Sequence, residues 1–498
     1  MSAAISLPPE LVQFLNLRQP RSLLIRGPPG TGKTTLALSL LEAFPGRRIY
    51  ASFRTSDVEL HDQFAWLGGP GNGSIEVIDA SSSVGGVAKA ARAIERVPAI
   101  VSNGPDERLT RALWLPEPLL EAWSRTDPDH PSLIVIDSWD ALVEGYLARS
   151  SPLVTQPPDR SEIERFALSE LAQGNATLVF VVEREHPTQL DYLVNGVLDL
   201  HVDRFDDRLE RWVYLLKLRG TRILSYGYPY TLEGSRFTCI TPMPGGFRAR
   251  LHAPEPDPAP SPGSLWPGST DFCDFFGRLP LNRVMLFETD PNVPQEAVRL
   301  LFFPLLAQVL HLGGRIFHVL PPGLPPEEVW ECYRPYLSEE AFLRQVRFQT
   351  PTPPRTGSAL LDRVIFPPLS PPEFPNSPHN PKARQFIREG GREGAPSFMV
   401  VWTAGLKVGG GDDPSPPYLP AALPGISAAY MGSAPLVQLY VGEHGDPYME
   451  SLRPMAALRI RVRARRGRVF LYGENPTTPL LVLVENGSDG SFHLLPMV

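Results

Sequence analysis

A lysine next to a hydroxyl, at the end of a glycine-rich turn, is equipment for phosphate chemistry, and residues 27 to 35 supply it as Gly-Pro-Pro-Gly-Thr-Gly-Lys-Thr-Thr. The run completes the pattern G-x-x-x-x-G-K-[ST], follows the apolar stretch Ser22 to Ile25 and opens onto the helix-like Leu36 to Ala43. That strand-loop-helix context is the one in which such a loop works. Gly27, Pro28, Pro29, Gly30, Thr31, Gly32, Lys33, Thr34 and Thr35 are therefore expected to hold a nucleotide. The available backbone N–H groups and the helix N-terminus would cradle its phosphates, and Lys33 would reach the β- and γ-phosphates. The Thr34 hydroxyl would ligate Mg²⁺, so ATP with Mg²⁺ is the expected ligand.

A second chemical group comes from Leu133-Ile134-Val135-Ile136-Asp137, four apolar residues closed by an acid. This is the form of a Walker B strand, in which a buried parallel strand delivers a carboxylate to the Mg²⁺ sphere. Asp137 is the expected second metal-side residue.

The elements that must position these groups show in the alternation of strand-like and helix-like runs. Ser22 to Ile25, Arg47 to Phe53, Ile75 to Ala80, Leu133 to Asp137 and Ala176 to Glu183 read as strands of βαβ units on a mainly parallel sheet. After Leu200 the runs shorten, with Trp212 to Leu218 and Arg236 to Ile240 separated by Gly and Pro as in hairpins. Six prolines between Ala253 and Gly268 favour an extended linker. The expected organisation is an α/β P-loop domain over residues 1–252, a linker over 253–268 and a second α/β domain over 269–498.

A chain of 498 residues suggests two to four units at roughly 150 residues per domain. A net charge of −7 gives no encouragement for nucleic acid, without excluding a local basic patch. The three cysteines, Cys239, Cys273 and Cys332, have no C-x-x-C spacing, so neither a disulfide framework nor a zinc site is indicated. With no signal-like start and no apolar stretch of ~18 residues, a cytoplasmic protein without a membrane span is expected.

Beyond the proline-rich stretch the opening repeats. Phe14-Leu15 and Pro20 to Ile25 are echoed by Phe275-Phe276 and Leu281 to Leu286, and Lys217 to Arg222 before Tyr226-Gly227 by Arg463 to Arg468 before Tyr472-Gly473. An internal duplication is the natural reading. In the second copy the P-loop positions hold Glu288-Thr289-Asp290-Pro291-Asn292-Val293-Pro294, without lysine or glycine and with surplus negative charge, which should repel a triphosphate. Its proline-rich inserts, Pro351 to Pro381 and Pro414 to Pro424, read as surface excursions.

Taken in order, GPPGTGKTT, LIVIDSWDAL, YLVNGVLDL (Tyr192 to Leu200) and LKLRGTRI (Leu216 to Ile223) resemble the RecA-like ATPases of the KaiC and gas-vesicle protein D (GvpD) kind, over residues 10 to 245. The tandem arrangement is similar to that of KaiC. The resemblance implies a RecA-like fold, a degenerate RecA-like second domain, and assembly into rings or filaments with ATP at subunit interfaces. It also implies that Lys217 and Arg219 match a K-x-R-G finger reaching the neighbour's phosphates. Read from the residues alone, two cations at i and i+2 share one strand face and suit either an anionic ligand or plain solvent. Arg463 and Arg465 have no neighbouring P-loop lysine to serve and read as surface residues.

One departure bears on mechanism. Where KaiC-type domains carry two adjacent glutamates after the second strand, this chain has Arg54-Thr55, and arginine accepts no proton. GvpD-type relatives tolerate other residues there. Glu183, at the C-terminal end of its strand, is the substitute base, or else a surface glutamate; Asp57 and Glu59 are weaker candidates, and Arg54 a phosphate sensor. The expected function is a slow ATPase acting as a regulatory switch, homo-oligomeric and with a regulatory protein partner. The alternatives are a nucleotide-stabilised scaffold without turnover and, less favoured, a DNA-dependent recombinase-like ATPase.

Overall fold

Parallel strands buried on both faces are apolar throughout rather than alternating, and runs of this kind form the inner part of a nine-stranded sheet. The computed structural model describes residues 6–16, 19–68, 75–81, 117–126, 129–148, 159–171, 176–184, 186–242, 250–261, 263–320, 324–350, 358–366, 381–389, 395–403, 435–485 and 491–498. The chain divides into two compact units, Met1–Thr241 with Met497–Val498, and Pro242–Pro496. It is an α/β protein, a P-loop domain followed by another α/β domain.

In the first unit β1 (Ser22–Arg26), β2 (Arg47–Ser52), β3 (Glu76–Asp79), β4 (Ser132–Asp137) and β5 (Ala176–Val181) are parallel. β6 (Gly196–Phe205) continues parallel to β1, and β7 (Arg208–Leu218), β8 (Gly227–Thr231) and β9 (Thr238–Cys239) follow in antiparallel hairpins. The order across the sheet is β3-β2-β4-β5-β1-β6-β7-β8-β9. Side chains alternate faces along a strand, so Leu23 and Ile25 join one core with Leu36 to Leu41, while Leu24 joins the other with Trp123, Trp139 and Leu142. The helices supplying those layers include α1 (Pro9–Leu15), α2 (Lys33–Ala43), α3 (Asp57–Gln63), α4 (Glu117–Ser124), α5 (Trp139–Ala148), α6 (Arg160–Leu171) and α7 (Gln189–Leu193). This topology puts the loops after β1, β2, β4 and β5 at one sheet edge, where ligands of open α/β sheets sit.

α1 is fastened by one buried carboxylate. Glu10 accepts the Tyr228 hydroxyl at 2.7 and 2.9 Å and the N–H groups of Leu224 and Ser225 at 3.1 and 3.0 Å. Burial works to raise its pKa, but the bonds from Tyr228, Ser225 and Leu224 outweigh it and the net shift is downward. A carboxyl depressed by folding contributes stability above its unfolded pKa that is lost as pH falls through the folded value. Glu10→Ala is expected to cost ~1–3 kcal/mol at neutral pH and to flatten the acid loss of stability that sets in below about pH 4.5. Urea unfolding of both proteins between about pH 3 and 7 checks it.

The second unit holds β10 (Ser264–Leu265) paired with β11 (Leu279–Pro280), and a larger sheet. That sheet comprises β12 (Val284–Thr289), β13 (Ile316–Val319), β14 (Val346–Gln349), β15 (Ile365–Phe366), β16 (Ser397–Trp402), β17 (Leu436–Glu443), β18 (Ala456–Arg465), β19 (Arg468–Asn475), β20 (Leu481–Glu485) and β21 (Phe492–Pro496). Its order is β15-β14-β13-β16-β17-β12-β18-β19-β20-β21. With the two-residue edge strand β15 set aside, this is the order of the first sheet, strand for strand. α8 (Thr270–Phe276) precedes β12 in sequence as α1 precedes β1, and the largely buried α9 (Gln295–His311) follows β12 as α2 follows β1.

Residues 253–268, read from the sequence as a linker, lie within the second unit. Prolines remove backbone donors there, the Glu255 N–H still reaches the Gly268 carbonyl at 3.0 Å, and side chains add to it: Trp266 is buried with its indole N–H on the Glu255 carbonyl at 3.0 Å, and Asp257 accepts two bonds from Arg278. Of the proline-rich inserts, Pro414 to Pro424 lies outside the described residues, as does most of Pro351 to Pro381.

Candidate functional site

The loop after β1 closes back on itself. Gly27 has φ 147°, and a Cβ there would stand 2.3 Å from the Leu200 carbonyl oxygen. A side chain is therefore excluded where the loop passes β6. Gly32, the N-cap of α2, has φ 83°, and no side chain caps the helix. The first-turn N–H groups of this eleven-residue helix thus remain a donor set for an anion, which is the fit a phosphate requires.

The loop is braced from the antiparallel half of the sheet. Arg211 on β7 donates to the Gly30 carbonyl at 2.9 Å, and the buried Tyr230 hydroxyl on β8 donates to the Thr31 carbonyl. Lys33 is 7% exposed, and its ammonium donates to the carbonyls of Gly27 and Pro28, both at 2.8 Å. Burial lowers its pKa, while the charges of Glu183 and Asp137 act to raise it.

Asp137 ends β4, one strand removed from β1. Its Oδ2 accepts the Thr34 hydroxyl at 2.7 Å and the Tyr50 hydroxyl at 2.8 Å. The two residues expected to share a metal are thus joined across β5. Burial raises the Asp137 pKa, against the Thr34 and Tyr50 hydrogen bonds and the Lys33 charge, and burial likewise pushes the Tyr50 phenol well up. Tyr50 therefore stays a hydrogen-bond donor. Among the described residues no group of three or more His, Cys, Asp or Glu forms a metal cage. A site built from one hydroxyl, one carboxylate and substrate phosphates is the arrangement Mg²⁺ favours over an all-protein cage.

Glu183 follows β5, and its carboxylate is ion-paired with Arg54, which follows β2. Its backbone N–H is held at 3.0 Å by Asp140, a buried carboxylate in the first turn of α5 that also accepts Arg160 at 2.7 Å. Asp57 and Glu59 lie apart from this group in the first turn of α3, where Glu59 completes a capping box with Ser56. Their polar contacts are helix-terminal ones.

Lys217 and Arg219 are brought together, but on α7. The Lys217 ammonium donates to the carbonyls of Asp191 and Tyr192 at 3.0 and 3.3 Å, and Arg219 to Tyr192 at 3.4 Å. Cations there satisfy carbonyls at a helix C-terminus. A path leads back to the P-loop: Arg26, the residue before Gly27, donates to Asp191 at 2.6 Å and to Asp199 at 3.1 Å.

The corresponding edge of the second unit differs in its charges. The register pairs Arg26 with Asp199 in the first sheet and Glu288 with Arg461 in the second, and Gly32 and Pro294 are the N-caps of the helices that follow. Glu288 thus stands level with Arg26 rather than with Gly27, where the sequence echo puts it, and the pair has its signs exchanged. Glu288 accepts Arg453 at 2.8 Å with His444 beside it, also at 2.8 Å, and Asp290 accepts Arg461 at 2.6 Å and Arg463 at 2.8 Å. The negative charge expected to repel a triphosphate is thus matched internally. What the stretch lacks is the lysine and the glycine turn, and Pro294, the N-cap of α9, removes one further N–H. Arg463, read as a surface residue, is instead a partner of Asp290. It lies on β18, the sixth strand of the shared order, whereas Lys217 lies on the seventh, so the sequence echo between Lys217–Arg222 and Arg463–Arg468 joins positions that are not equivalent.

Tyr50, Asp140, Arg211 and Tyr230 were not legible as site residues. Each acts through a strand distant in sequence, and only the strand order reveals its partner.

Residues 118–216 match the family model of the P-loop domain of GvpD gas vesicle protein. The match holds about a fifth of the chain, including β4 with Asp137, Glu183, α7 and most of β7, and begins after the P-loop itself. Among curated proteins none matches the chain. No helix among the described residues is long and apolar enough to cross a membrane. The family match supports a GvpD-like P-loop protein.

Proposed function

We propose that this chain is a P-loop ATPase of the RecA superfamily, similar to the GvpD and KaiC kind, that hydrolyses MgATP slowly and serves as a nucleotide-dependent regulatory switch. The observation that carries the reading is the Thr34–Asp137 hydrogen bond, which brings the hydroxyl of the P-loop and the carboxylate of the β4 strand end to one point. On nucleotide binding, the Lys33 ammonium exchanges the carbonyls of Gly27 and Pro28 for phosphate oxygens, and the first-turn N–H groups of α2 receive the same anion. Mg²⁺ held by Thr34 and Asp137 would neutralise charge on the β- and γ-phosphates. The Glu183 carboxylate takes a proton from the attacking water.

Lys217 and Arg219 are proposed to serve a neighbouring copy, which makes the active form a homo-oligomer with the finger acting in trans. The second unit is proposed to be a degenerate copy of the first. The shared strand order and the charge-exchanged pair support this, and its stretch from Glu288 to Pro294 offers a triphosphate neither lysine nor glycine turn. Such a unit suits the binding of a regulatory protein, in the cytoplasm. A scaffold with negligible turnover is the second reading, supported by the engagement of Glu183 with Arg54.

Glu183→Gln separates the two. It is expected to lower MgATP turnover about 100-fold while ATP still binds, and a mass measurement with saturating MgATP is expected to show an oligomer. ATP binding without turnover in the wild type would favour the scaffold, and a strictly monomeric mass would remove the trans finger.

A further inference from the structure

β2 and β5 are the strands on either side of β4, so the residues that follow them, Arg54 and Glu183, meet across the end that carries Asp137. Both backbones are anchored. Phe53 donates its N–H to the Asp137 carbonyl at 2.7 Å, the Thr55 N–H is held by the Ser52 hydroxyl at 3.3 Å, and the Glu183 N–H by Asp140 at 3.0 Å. Their side chains are less confined: Arg54 is 49% and Glu183 31% exposed in the pair they form. An ion pair so open to water is screened and contributes little, so a stronger anion can dissolve it. The pair also lies within electrostatic reach of the P-loop lysine. Among the charges acting on the Lys33 ammonium Glu183 is the largest, and Arg54 opposes it.

A γ-phosphate carried to Lys33 would add a multiply charged anion to this group, with three oxygens able to accept the forked guanidinium. A diphosphate brings no such group. We infer that Arg54 is a triphosphate sensor whose counter-ion in the nucleotide-free chain is Glu183: the γ-phosphate draws the guanidinium away, selects a nucleoside triphosphate over a diphosphate, and leaves the Glu183 carboxylate free. The inference rests on the nucleotide-site reading above. It gives that site a reason to report nucleotide state, because the Arg54–Glu183 contact is present or absent according to the third phosphate.

The test is equilibrium binding of ADP and of a non-hydrolysable ATP analogue, each with Mg²⁺, to the wild type, Arg54→Gln and Glu183→Gln. Loss of one charge-assisted contact is expected to weaken the analogue about 10-fold in Arg54→Gln, with ADP affinity unchanged within about 2-fold. Glu183→Gln removes the competitor and is expected to tighten the analogue by roughly 2- to 5-fold, again without effect on ADP. Unchanged ADP affinity also reports an intact fold. Equal losses for both nucleotides in Arg54→Gln, or no loss for either, overturn the sensor. Should Arg54→Gln fail to fold, unchanged analogue affinity in Glu183→Gln overturns it alone. A wild type that binds neither nucleotide overturns the site reading itself.

Discussion

Lys33→Ala is expected to lower MgATP turnover by about 1,000-fold or more and to weaken ATP binding by roughly 10- to 100-fold. The ammonium lies at the mouth of the loop, bound to the carbonyls of Gly27 and Pro28 at 2.8 Å. Removing it deletes the cation nearest the developing charge on the transferred phosphoryl group. It also leaves those two carbonyls to solvent. Because the loop is separately braced by Arg211 and Tyr230, the change should act on the ligand rather than on the fold. Turnover and binding, followed beside thermal unfolding of the nucleotide-free protein, check this: an unfolding temperature close to wild type is expected alongside the lost activity.

Asp137→Asn is expected to reduce turnover by a comparable factor, about 1,000-fold, through loss of the negative charge that would hold the metal. The asparagine oxygen can still accept from Tyr50 and Thr34, so the local geometry has a means to persist. The stability effect should have the opposite sign. Burial raises the Asp137 pKa, so the folded chain holds a proton there that the unfolded chain has released. Stability then falls as pH rises from the ordinary aspartate range through the raised folded value. At neutral pH the carboxylate costs stability, and Asp137→Asn should unfold at a temperature no lower than the wild type, a trade of stability for function. In the wild type, Mg²⁺-dependent nucleotide affinity should rise with pH through the raised Asp137 value and level off above it, because only the deprotonated carboxylate ligates. Binding of Mg-nucleotide against pH, for both proteins, reads out the charge and the loss of the pH dependence together.

What the sequence revealed follows the range over which each interaction acts. The P-loop is local: nine consecutive residues set the turn, the lysine and the hydroxyl, and a strand and a helix adjoin it. Asp137 was legible because an acid at the end of an apolar run marks a strand end. The bond between Asp137 and Thr34, by contrast, requires β4, β5 and β1 to lie side by side, which hydrophobic pattern alone does not dictate. Tyr50 shows the same limit, since it reads as one more apolar strand residue until β2 is set beside β4. In the second unit the pattern of basic residues misled. Arg463 to Arg468 resembles Lys217 to Arg222 in composition, yet Arg463 lies on β18, at the level of β6, because basic runs recur on neighbouring antiparallel strands. The equivalence that does hold, Arg26 with Asp199 against Glu288 with Arg461, reverses the charge at both positions and so is invisible to a comparison of residue types. Lys217 and Arg219 were found by pattern, but a single chain shows only their contacts with α7, and a trans role is a property of an assembly.

The central claim is that Gly27 to Thr35 forms a working nucleotide site, and the most direct test measures MgATP binding and hydrolysis on the same samples of the wild type and Lys33→Ala. Saturable binding with slow turnover is expected in the wild type, with turnover abolished and binding much weakened in the variant. A wild type that does not bind MgATP, or a variant that binds and hydrolyses it equally well, would contradict the account.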